Sequence, residues 1–144
     1  MKIRLIESSN VEDFERIRAD VDRVTRGAAH GEFTTDDLKK FIADKTAFAG
    51  YVMEDSGEIT VCFVWEMVFY PRKTGVNIMA LAGRKFYRSC EHYLRFMEKV
   101  WRMQGATFVE CSSTPAMARF LSRAGFAEVY RLSRKELLNA EDDE

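Results

Sequence analysis

The sequence predicts an α+β fold, a mixed and mostly antiparallel central sheet with helices on both faces. Three patterns point to it. Several short runs alternate apolar and polar residues, the period of strands. Other apolar residues recur every three or four positions, the period of amphipathic helices. Two strand-like runs flank a turn signal mid-chain, and further on a long helical stretch separates two more strand-like runs.

In order, "KIRLIE" alternates charged and apolar residues, with Ile3 and Leu5 on one face, and reads as a first strand. Asn10 suits a helix N-cap, and Glu12 and Asp13 favour a first turn through the helix dipole. Phe14, Ile17, Val21 and Val24 follow at helical spacing until "RGAAHGEF" breaks the pattern. Thr34 or Thr35 caps a second helix carrying Leu38, Phe41 and Ile42. "AFAGYVME" and "EITVCFVWEMVFY" flank "DSG", a hairpin signal. "PRKTG" turns the chain into another strand, "VNIMALA". A helix from Arg84 to Met103 carries Phe86, Cys90, Leu94, Met97 and Trp101 along one stripe, and Gly105 stops it as a C′ glycine. "ATFVEC" is a strand. Pro115 opens the next helix behind Thr114 as cap. "AEVYRLS" closes the fold as a strand, and residues 139–144 form an acidic tail that frays. The predicted order is β-α-α-β-β-β-α-β-α-β, in one domain over residues 1–138. Its middle is an antiparallel meander, and Val76 to Cys111 is a right-handed parallel crossover.

A chain of 144 residues fits one domain, and 47% hydrophobic residues suffice for a core. A net charge of −1 argues against a protein that coats a polyanion. No apolar run is long enough to span a membrane, and "MKIRLIESS" is too short in apolar residues for a signal peptide. Cys62, Cys90 and Cys111 are odd in number and far apart, which fits neither a disulfide framework nor a C-x-x-C metal site. A reducing, cytoplasmic setting without a bound metal is expected.

From Ile3 to Leu132 the order resembles the GCN5-related N-acetyltransferase (GNAT) fold. "TPAMARFLSRAGFAEVYRLSR" keeps the length of that fold's last helix, its Gly125-Phe126 pair and its closing strand. The layout is also similar to small acetyltransferase-like proteins of tailed phages. The GNAT resemblance implies that two parallel strands splay apart, here "VNIMALA" and "ATFVEC", diverging near Leu81 and Cys111. The pantetheine arm of acetyl-CoA would enter between them and pair its amides with the strand edges. Its pyrophosphate would lie at the N-terminus of the following helix. The implied cofactor-binding residues are Met79, Ala80, Leu81, Gly83, Arg84, Lys85, Arg88, Cys111, Ser112 and Thr114.

The sequence departs from the family pattern at two places. The family's pyrophosphate loop is Gln/Arg-x-x-Gly-x-Gly/Ala, whereas this chain has "LAGRKFYRSCE", where Arg88 and Cys90 fall near the small positions and only Gly83 remains. Thr114 and Leu121 stand where the family often has Asn and Tyr. Either Arg84, Lys85 or Arg88 replaces backbone contacts with charge-assisted ones, or the site is degenerate.

Glu66 lies inside the apolar "VCFVWEMVF" and is the candidate general base for an amine, the other reading being a solvated carboxylate on the open side of the sheet. His30 sits between the first two helices, where the family often builds its acceptor pocket, though a loop His is ordinarily just exposed. Cys111 reads better as a small buried hydrophobe than as a nucleophile. The aromatic residues follow strand and helix periods and so read as core, not as a nucleic-acid stacking platform. The leading reading is acetyl transfer from acetyl-CoA to a small-molecule or protein amine. The alternative is a catalytically idle module, such as a phage virion or host-interaction protein with a phage structural partner. Pairing of the closing strand with a second subunit, making a homodimer, stays open.

Overall fold

A computed structural model describes residues 2–27, 31–83 and 86–138, except the side chains of residues 86–89. His30, Arg84, Lys85 and the acidic tail lie outside the described residues, as does the Arg88 side chain. The described strands are β1 (Lys2–Ile6), β2 (Phe48–Met53), β3 (Ile59–Tyr70), β4 (Lys73–Gly83) and β5 (Phe108–Glu110), joined in chain order into one sheet. The β1–β2, β2–β3 and β3–β4 pairs are antiparallel, and β4–β5 is parallel. The helices are α1 (Arg18–Gly27), α2 (Thr35–Ala43), α3 (Phe86–Met103) and α4 (Pro115–Arg123). This is the mixed α+β architecture expected.

Both faces of the sheet are covered, which explains the near-continuous apolar run in β3. Val61, Phe63 and Trp65 pack toward α3 and α4, against Cys90, Leu94, Met97, Trp101 and Phe120. Cys62 and Val64 pack toward the other side, against Phe14, Ile17, Val21, Leu38 and Ile42. From Cys90 to Trp101 the stripe read along α3 is thus the face it buries, and the Phe86 side chain lies outside the described residues.

Chain signals set the helix ends. Thr34 caps α2 in a reciprocal capping box with Asp37. Thr114 caps α4 with Pro115 in its first turn. Both α3 and α4 end in a Schellman arrangement. Gly105 N–H donates to the Arg102 carbonyl and Ala106 N–H to Trp101, while Gly125 N–H donates to Ser122 and Phe126 N–H to Leu121. Gly105 and Gly125 have φ of 93° and 95°, which explains glycine at each. The Gly-Phe pair is therefore a helix stop whose Phe126 packs onto the core.

Two expectations are corrected. Asn10 does not cap a helix. It sits with non-helical angles inside a 3₁₀ helix, Ser8–Arg16, that begins after Glu7 with no side-chain cap bond. Phe14 and Ile17, three apart and both fully buried, suit the three-residue period of a 3₁₀ turn, and α1 begins only at Arg18. The closing strand "AEVYRLS" is not formed, since residues 126–138 carry no regular structure. Alternation predicts a half-buried face, but Val129 is 81% and Leu132 73% exposed. A strand persists only when a ladder partner satisfies its backbone, and no described strand pairs with this segment.

Gly83 shows where the sheet tolerates no side chain. A Cβ there would stand 2.2 Å from the Thr60 carbonyl oxygen, a backbone atom that cannot rotate away. We expect Gly83→Ala to lower stability by about 1–3 kcal/mol through overpacking, read as a fall in the urea midpoint. An unchanged midpoint would mean that β3 and β4 separate freely at this end.

Candidate functional site

The site is built where β4 and β5 part. Their parallel pairing covers Gly75–Phe108, Val76–Val109 and Asn77–Glu110 and then stops, while β4 continues through Ile78 to Gly83. On its other edge β4 stays paired with β3, with a register shift that sets Val64 against Ala80 and Trp65 against Ile78. Met79 is the extra residue of a β-bulge, a feature that bends its strand. Across it the side-chain alternation resets. Ile78 packs toward α3, Ala80 toward α1, and Leu81 toward α3 again. The strands separate after Asn77, earlier along β4 than the expected Leu81.

The parting opens into a cleft of about 330 Å³. Leu81, Ala82 and Gly83 of β4 form one wall. Thr114, Ala116, Met117 and Phe120 around α4 form the second, and Arg23 of α1 closes the third side. Of the expected cofactor residues, the structure brings Leu81, Gly83 and Thr114 together here. Met79 and Ala80 belong to the bulge beneath. Cys111 and Ser112 follow β5 without lining the cleft. Cys111 is half-buried against the α3-side core and its thiol contacts the Ser112 carbonyl, while Ser112 itself is exposed. Gly83 has a structural reason to be glycine, in its close approach to Thr60, that requires no ligand.

At the point of parting a polar row crosses three strands. Asn77 pairs with Glu66 on one side and Glu110 on the other. Asn77 Nδ2 donates to Glu66 Oε1 at 3.0 Å, and the Tyr70 hydroxyl donates to Glu110 Oε1 at 2.7 Å. The Tyr70 ring stacks on Phe108 with centroids 5.8 Å apart. The Glu110 carboxylate beside it, helped by burial, pushes the Tyr70 hydroxyl up to about 12, so it stays protonated at neutral pH. Glu66 is half-buried, neither in the apolar core nor freely solvated. It does not line the cleft. Phe63, which pairs with Leu81, is three residues away along β3, roughly 10 Å at strand rise.

Burial pushes the Cys111 thiol up to about 11 and the Cys90 thiol to about 12, and burial with the nearby Asp20 carboxylate does the same to Cys62, to about 12. None supplies a thiolate at neutral pH. Among the described residues no group of three or more His, Cys, Asp or Glu side chains could hold a metal ion, and no helix is long and apolar enough to cross a membrane.

Arg23 is the lining residue that sequence reasoning missed. The available signal was Asp20, a carboxylate directly beside Val21 in an apolar helical stripe, with an arginine three residues on.

The architecture matches known structures. The chain superposes on a GNAT family acetyltransferase from Staphylococcus aureus with a TM-score of 0.64 at 14% identity, covering 94% of this chain and 98% of that one. The fold is that of the GNAT acetyltransferases. An aminoglycoside acetyltransferase, meta-AAC0020, from an uncultured soil metagenomic sample gives a TM-score of 0.71 at 13% identity over 96% of each chain. The aminoglycoside 6'-N-acetyltransferase AAC(6')-Ih from Acinetobacter baumannii gives 0.67 at 12% identity over 96% of this chain and 99% of its own. No protein-family model and no curated protein sequence matches this chain. Within this GNAT fold, Leu121 is buried in the core, so the position where the resemblance expects a tyrosine offers no proton.

Proposed function

We propose that the protein transfers an acetyl group from acetyl-CoA to an amine. The observation that carries this reading is the parted β4 edge, which from Ile78 to Gly83 has no β5 partner and whose Leu81, Ala82 and Gly83 line the cleft. Such an edge takes an extended, amide-bearing arm as an added strand, and the largely apolar walls suit a pantetheine chain. Acetyl-CoA supplies the activated acetyl thioester.

The chain's own groups then divide the work. N–H groups near Ala80 and Leu81 polarise the thioester carbonyl. The amine nitrogen forms a bond to the carbonyl carbon, the carbon–sulfur bond breaks, and the sulfur leaves with its electron pair. Glu66 takes the proton lost by the amine, directly or through water, while the Asn77 amide orients its carboxylate. The leaving thiol's ordinary pKa of about 8.5 makes a protonating residue dispensable.

A second reading, binding without turnover, is favoured by one observation. Among the described residues lining the cleft, Arg23 alone is ionisable. Calorimetry with CoA, followed by thiol release from acetyl-CoA across a panel of amines, separates the two. We expect CoA to bind at submillimolar concentration, to raise the melting temperature, and to be released when an acceptor is present. Binding without release for any amine would establish the second reading. No binding at millimolar CoA and low salt would overturn both.

A further inference from the structure

We infer that Arg23 is the anion anchor of the cleft and holds a phosphoryl group of the acyl donor. The assignment rests on the acetyl-CoA reading and adds a residue to it. The other described residues lining the cleft are uncharged, so Arg23 is the cation that this described lining offers an anionic ligand. That cation is held in place. Its Nη2 donates to Asp20 Oδ1, and the Asp20 side chain is only 10% exposed. A carboxylate so buried needs its partner, so the guanidinium is not free to swing away. The Arg23 side chain is itself 59% exposed. A guanidinium has five N–H donors in a rigid fork, and those not given to Asp20 are available to a ligand. Two parallel bonds to phosphoryl oxygens match that fork.

Position decides which anion it reads. Glu66 marks the acceptor end, beside Asn77 where the strands part. Arg23 shares the cleft with Leu81, Ala82 and Gly83 at the far end of β4, which lies roughly 13–20 Å from Asn77 at strand rise. With the thioester at Ala80 and Leu81, the donor's charged end is the part that leaves the cleft past Gly83, on the Arg23 side. The sequence from the last residue of β4, "GRKF", also lacks the second glycine that would let backbone amides approach a phosphate, which leaves the contact to side chains.

The test is calorimetry with two probes, CoA and phosphate-free pantetheine, on the unchanged protein, Arg23→Gln and Arg23→Lys. Arg23→Gln should weaken CoA about tenfold or more, as loss of a charge-assisted contact does, and leave pantetheine binding unchanged. Arg23→Lys should fall between, because it keeps the charge and loses the fork. Asp20→Asn combined with Arg23→Gln strands no buried carboxylate, so it secures the comparison if the single variant misfolds. Equal CoA affinity in all variants would overturn the inference. So would equal weakening of CoA and pantetheine, which would make the effect one of shape. So would unchanged CoA affinity with a raised acceptor KM, which would give Arg23 to an anionic acceptor. An unchanged protein that binds neither probe would instead overturn the acetyl-CoA reading on which the inference stands.

Discussion

Trp65→Ala is expected to lower the stability of the domain by about 3–5 kcal/mol, the largest single loss at any position discussed. Trp65 is 1% exposed at the centre of the sheet. Its ring stacks on Phe48 and meets Trp101 edge to face, each with centroids 5.9 Å apart. Its Nε1 also donates to Gln104 Oε1 at 3.2 Å, tying β3 to the end of α3. Truncation removes the transfer free energy of an indole, leaves a cavity between sheet and helix, and frees Gln104. Urea unfolding measures the sum. A comparison isolates the hydrogen bond. Trp101 is equally buried, but its Nε1 has no partner among the described residues. Trp101→Phe therefore removes an unsatisfied donor, whereas Trp65→Phe breaks a bond, so Trp65→Phe should cost more. The reverse order would show that Trp65 contributes by volume alone.

Trp65 also shows what the sequence made legible. The "DSG" turn signal between two strand-like runs predicted β2 and β3, although β3, covered on both faces, has almost no polar phase. The i, i+3, i+4 stripe predicted α3, and Thr34, Thr114, Gly105 and Gly125 marked their helix ends because cap chemistry is local. The errors came where local signals needed a distant partner. "AEVYRLS" alternates as a strand does, yet pairing is not written in one strand alone. Asn10 has cap chemistry, yet the burial of Phe14 and Ile17 set a tighter turn. In the candidate site, Leu81, Gly83 and Thr114 were found because the resemblance located the cleft along the chain. Arg23 was missed because α1 lies against the end of β4 only in three dimensions, and its pairing with Asp20 resembles any surface ion pair. Neither Met79's bulge nor the early parting at Asn77 has a sequence signature, since both depend on how β4 registers against β3 and β5.

Glu66→Gln is expected to slow acetyl transfer by about 10²–10⁴-fold, the range for loss of a positioned general base, with CoA affinity nearly unchanged. The substitution is nearly isosteric and keeps an oxygen that can accept from Asn77 Nδ2, so the row across β3 and β4 has no reason to rearrange. What is lost is the ability to take a proton from the attacking amine. Because Glu66 lies outside the cleft lining and pairs with Asn77 where the strands part, the end proposed for the acceptor, the donor should not register the change. Measurement of kcat/KM for the amine, alongside calorimetry of CoA, tests both halves. The variant should recover part of its rate as pH rises toward the amine's own pKa, because a growing fraction of acceptor then arrives unprotonated and needs less help. Asn77→Ala should act in the same direction and more weakly, since it removes only the group that orients the carboxylate. Equal turnover of Glu66→Gln and the parent at every pH would remove Glu66 from the mechanism. A matching loss of CoA affinity would place it on the donor side, against the division of the site between Glu66 and Arg23.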